Sequence, residues 1–126
     1  ESDTTLLGRA FPDMVAALAQ LRLRPEVPVA ATDQDNVRMA ARIPGSLVVT
    51  TLAQMQTEKP DLRFLTIDGV APTLENFERE TYPHRKDLHL VLPARRSASL
   101  ERFLAFLQSS EGAKLLRETG SLPGIP

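Results

Sequence analysis

Cysteine is absent from this chain, which excludes a disulfide framework, thiol catalysis and a cysteine-based zinc site. Histidine is nearly so. His84 and His89 are too few and too isolated for a zinc site, which needs about three or four converging ligands. No apolar run approaches the length of a membrane span, and no signal-peptide pattern is present. No Gly-rich phosphate loop occurs, so nucleotide binding has no support. No Gly-x-Ser-x-Gly elbow positions a nucleophile. A Ser–His–Asp set can be written from Ser2, His84 and Asp68, but no motif brings them together, so neither an enzyme nor a cofactor is expected. Excess charge is missing as well: 15 basic against 16 acidic residues leave a formal net charge of −1. That gives no global field to draw nucleic acid or an anionic membrane. The densest basic spots, Arg95-Arg96 and His84-Arg85-Lys86, are too short to track a phosphate backbone and read as solvated surface charge. Asp33, Asp35, Glu75, Glu78 and Glu80 read as helix-dipole and surface acids. His89, alternating with Leu88 and Leu90, reads as an outward-facing strand residue.

What is present is an ordinary globular composition, 42% hydrophobic and 25% charged. A length of 126 residues fits one domain, 1–126, that buries about two-thirds of its unfolded surface. The chain starts at Glu1 and not at Met, so a processed product or an excised piece is expected. No internal repeat occurs, and the prolines and glycines are spread through the connections.

Helical and strand patterns alternate along the chain. Leu6, Leu7, Ala10 and Phe11 are the apolar members of a first helix. Pro12-Asp13 restarts it, because proline and aspartate both suit a first turn. Met14, Val15, Leu18 and Leu21 give the second stretch its buried face. Thr32 suits the cap of a helix whose apolar side is Val37, Met39, Ala40 and Ile43. A helix is expected over Leu52–Glu58, and another from Thr73 through Phe77. Between them, 29–31, 46–50, 62–67 and 88–92 read as strands, with a turn at Asp68-Gly69. In the last quarter Leu100, Phe103, Leu104 and Leu107 form one helical stripe. Ser99 suits its N-cap, Ser109 or Ser110 caps a second helix, and Gly120 with Pro123 ends it. Strands separated by helices predict an α/β domain: a mainly parallel sheet flanked by helices, with the Leu100–Leu107 stripe packed on it.

Four strings stand in a recognisable order. They are Pro44-Gly45-Ser46-Leu47; Leu65-Thr66-Ile67-Asp68-Gly69-Val70-Ala71-Pro72-Thr73; Tyr82-Pro83 followed by Leu88-His89-Leu90-Val91; and Phe103, Phe106, Ser109 and Glu111-Gly112. Together they resemble the C-terminal portion of the type II periplasmic solute-binding proteins, above all the phosphate-binding subunits of ABC importers. Ser2-Asp3-Thr4 stands where that family has the Ser-Gly-Thr that opens a helix on the bound oxyanion. The resemblance implies non-catalytic capture of phosphate or a similar oxyanion and delivery to an ABC permease subunit. It also implies a periplasmic or otherwise exported location. Ser2, Thr4 and Thr5 would donate hydrogen bonds. Asp3, which replaces the family's glycine, would accept one from a protonated ligand oxygen; monohydrogen phosphate has such an oxygen and sulfate at neutral pH does not. Residues 1–62 would resemble lobe two and 63–126 the return to lobe one. Without the rest of lobe one, a homodimer or swapped form is expected ahead of a clean monomer. The same fold also serves as the ligand-sensing effector domain of regulators, which is the alternative reading.

Overall fold

A proline at position 12 divides the first helical pattern in two. The computed structural model describes residues 3–124, and the side chains of residues 5–124. In it α1 (Asp3–Ala10) stops one residue short of α2 (Pro12–Arg22), whose first turn holds the proline. Phe11 joins them: its N–H bonds the Leu7 carbonyl at 2.8 Å, and its own carbonyl accepts from the Met14 N–H at 3.1 Å. The chain therefore turns sharply without losing a backbone partner there.

The remaining helices begin at hydroxyl caps. Thr32 accepts from the Asp35 N–H ahead of α3 (Asp33–Ala40), and Thr51 from the Gln54 N–H ahead of α4 (Leu52–Glu58). Thr73 does the same for α5 (Leu74–Glu78) through the Asn76 N–H. Ser97 caps α6 (Ala98–Gln108), and Ser109 both ends α6 and caps α7 (Ser110–Glu118). Ser99, the cap expected for α6, lies inside it; two positions upstream Ser97 reaches the Leu100 N–H at 3.2 Å. A cap must have non-helical backbone, and Ser97 has it, with φ −77° and ψ 157°.

The expected α/β fold with a mainly parallel sheet is not formed. Among the described residues there are seven helices and no sheet; the pairing is a single antiparallel bridge between Ile67 and Val70. That bridge closes the Asp68-Gly69 turn, where both residues have positive φ, 52° and 80°, as a tight hairpin turn requires. The segments read as strands, 29–31, 46–50, 62–67 and 88–92, make no ladder beyond that one bridge at Ile67. The reason is physical. A β-branched, apolar run favours a pleated, half-buried surface, and it becomes a strand only where a neighbour takes up its N–H and C=O groups. No backbone–backbone hydrogen bond joins 47–50, 63–66, 83–85 or 87–95 to another described residue.

Without a sheet, the core is small. Val37, 1% exposed, and Ala40 are its buried side chains, and Gly112 is the buried backbone position of α7. The Leu100–Leu107 stripe has no sheet to pack on: Leu100, Leu104 and Leu107 are half-buried, and Phe103 is 50% exposed. The accessible surface is 9918 Å². A compact monomer of this mass exposes about 6,700 Å². The chain thus shows about half as much surface again as a closed globule would.

Candidate functional site

The proposed oxyanion residues fall at the start of α1, whose described part begins at Asp3. Ser2 lies outside the described residues, as do the side chains of Asp3 and Thr4. Thr5 is exposed in the first turn. A helix start of this kind offers backbone N–H groups and the positive end of the helix dipole, and both favour an anion.

The α1–α2 pair is held to the rest of the chain by aromatic contacts. Phe11 meets His84 with ring centroids 5.2 Å apart, and His84 meets Tyr82 edge-on at 5.5 Å. Tyr82 in turn meets Phe77 of α5 at 5.1 Å, again near perpendicular. The resulting file of four rings runs from the α1–α2 corner to α5. The Phe77–Tyr82 and Tyr82–His84 contacts have the edge-to-face geometry that aromatic quadrupoles prefer, while Phe11 meets His84 at a tilt of 44°. Asn76 fixes the near end: its Nδ2 donates to the Ala71 carbonyl at 2.9 Å, and its carbonyl accepts from the N–H groups of Thr81 and Tyr82. Burial in the file pushes the Tyr82 phenol above its ordinary pKa. His84, read from the sequence as surface charge, is a packing residue. Of the Ser2, His84 and Asp68 set, Asp68 occupies the exposed hairpin turn and Ser2 lies outside the described residues.

A second feature went unread in the sequence. Val37, Arg38, Ala41, Arg42, Glu58 and Pro60 line an open groove of about 630 Å³ between α3 and α4. Its legible signal was the spacing of Arg38 and Arg42, four apart and hence on one side of the chain. Arg38 sits 3.7 Å from Asp35, and Glu58 shares the groove with the guanidinium groups, so the groove mixes both signs of charge. A smaller groove of about 190 Å³ lies beside α6 and α7, lined by Phe106, Glu111, Lys114, Leu115 and Glu118.

The strongest electrostatic contact joins α5 to α7. Arg117 donates from its guanidinium to the Glu78 carboxylate. That hydrogen bond, helped by the direct charge attraction, holds the Glu78 carboxyl below its ordinary pKa and Arg117 above its own. The pair clamps two helices and belongs to neither groove. Among the described residues no three His, Asp or Glu side chains gather as metal ligands, and no helix is long and apolar enough to cross a membrane.

No protein-family model, no curated protein and no solved structure matches this chain.

Proposed function

We propose that the chain is a non-catalytic binding element for a small oxyanion, phosphate first, held at the N-terminal turn of α1. In this reading it serves a solute-binding protein that hands its ligand to an ABC permease in an exported compartment. The observation that carries the reading is that the described part of α1 begins at Asp3, so Asp3, Thr4 and Thr5 lie together toward the N-terminal end of the helix, where N–H groups and the helix dipole favour negative charge. The ordered resemblance of four sequence strings to phosphate-binding subunits supports the choice of ligand. The open surface supports a role as one part of a larger body, because a ligand captured between lobes needs an opposing wall.

Titration calorimetry with inorganic phosphate and with sulfate tests the proposal. Phosphate heat with weaker or absent sulfate heat is the expected result, since the Asp3 carboxylate can accept a hydrogen bond from the P–OH of monohydrogen phosphate and meets only repulsion from sulfate. Asp3→Gly should narrow that preference by admitting sulfate. Thr4→Ala and Thr5→Ala should each weaken phosphate about ten- to hundredfold, the effect of losing one hydrogen bond to a charged group. Absence of phosphate heat at millimolar ligand would leave α1 with an ordinary capped N-terminus.

A further inference from the structure

We propose that the outer face of α6 and α7 is the contact of a two-fold homodimer. Phe103 of each copy seats in the small groove of the other copy, and Arg102 of each reaches the partner's Glu111. The inference does not depend on the oxyanion reading.

The face follows from the α6–α7 corner. Ser109 is extended, with φ −75° and ψ 162°, so the chain turns between the two helices. Gly112 lets them close up there, because a Cβ at that position would collide with the Phe106 carbonyl oxygen. Phe103 stands three before Phe106 on α6 and Arg102 four before it, so both neighbour that ring along the helix. On α7, Glu111, Lys114, Leu115 and Glu118 share one side by the same spacing. Phe106 and that side of α7 line the groove of about 190 Å³.

Two observations call for a second copy. The first is bare apolar surface: Phe103 is 50% exposed, Leu115 51% and Phe106 37%. Large apolar side chains gathered at a concave corner are the usual anchors of an interface centre. The area is at hand as well. The chain exposes about 3,000 Å² more than a compact monomer, and a standard contact takes about 800 Å² from each partner.

The second observation is charge. Lys114 lies 3.7 Å from Glu118, while Glu111 has no ion-pair partner among the described residues. Arg102 also meets no carboxylate among them; its Nη2 donates to the Ser99 hydroxyl at 3.3 Å. The protruding ring thus has an unpaired cation beside it, and the groove has an unpaired anion on its wall. A second copy supplies the missing half of each pair, and it does so twice. Because each copy gives a ring and receives one, the contact is isologous and closes at two.

Sedimentation velocity on the whole chain at tens of micromolar should give twice the 13.9 kDa chain mass. Arg102→Glu sets carboxylates face to face twice per dimer and should raise the dissociation constant about tenfold. Glu111→Arg should do the same. Combining the two restores opposite charges across the contact and should return the constant to within about threefold of the starting value. Both side chains are exposed, so this exchange leaves the core untouched. Phe103→Ala should raise the constant about a hundredfold, whereas Leu47→Ala, at an 80% exposed side chain on another segment, should leave it unchanged. A monomer throughout the concentration range overturns the proposal. So does a combined charge variant no tighter than the single ones, a dimer indifferent to Phe103→Ala, or growth into open aggregates.

Discussion

At the scale of single residues, Gly120 is constrained both by its backbone and by its neighbours. It follows α7 with φ 81°, and a Cβ built there would lie 2.9 Å from both Ala53 Cα and Ala53 N, and 3.0 Å from the Leu52 carbonyl carbon. These are backbone atoms at the start of α4 and cannot swing aside. Gly120→Ala should therefore cost about 1–2 kcal/mol from the left-handed backbone alone, and more from the clash, read as a lower midpoint in urea. Gly112, by contrast, allows close helix packing: a Cβ there would collide with the Phe106 carbonyl oxygen at the α6–α7 corner. Glu78 supplies a pH signature. Its carboxyl titrates lower in the folded chain than its ordinary 4.5, because Arg117 donates a hydrogen bond to the ionised form. The stabilisation is thus complete above the ordinary value and disappears as pH falls through the lower, folded one. Thermal melts across that acid range should show the loss in the parent chain and a flatter profile in Glu78→Gln. An equal slope in both would mean the pair adds nothing.

At the scale of elements, caps account for most of what could be read beforehand. Thr32 and Thr73 were read as caps and each accepts a backbone N–H, and Thr51, not read as one, does the same for α4. The interruption at Pro12 and the turn at Asp68-Gly69 were equally legible, because proline and positive-φ residues act locally. Ser97 and Ser99 give a sharper test. Ser97→Ala should cost about 1 kcal/mol, whereas Ser99→Ala should be near neutral, since the Ser99 hydroxyl only accepts from the Arg102 guanidinium at 3.3 Å. Reversed costs would move the start of α6. The strands were not legible for the same reason that the caps were. A cap is satisfied within four residues, but a strand is completed only by a neighbour that its own sequence does not name. Leu88–Leu92 carries β-propensity without a ladder, and the spacing of residues alone does not show whether a partner is at hand. The site residues fared similarly. That Asp3-Thr4-Thr5 belongs to a helix was readable locally, whereas the Arg38–Arg42 groove depends on how α3 meets α4.

At the scale of the whole molecule, stability rests on few buried atoms. Val37→Ala removes the one side chain with almost no exposure among the described residues and should cost about 2 kcal/mol. Phe103→Ala, at a half-exposed ring, should cost about 1–2 kcal/mol, well short of the loss from a filled core. The slope of unfolding free energy against denaturant should also be small. At concentrations low enough to keep the chain monomeric, it should fall about a quarter below that of a closed domain of the same length, because less surface remains to be exposed. The file of rings from Phe11 to Phe77 carries a further consequence. Tyr82 is the sole tyrosine, and the chain has no tryptophan. Its near-ultraviolet absorption and emission therefore come essentially from one phenol, set between an imidazole and a phenyl ring at a junction of helices. Light alone, with no label attached, can report when the first two helices come away from the rest.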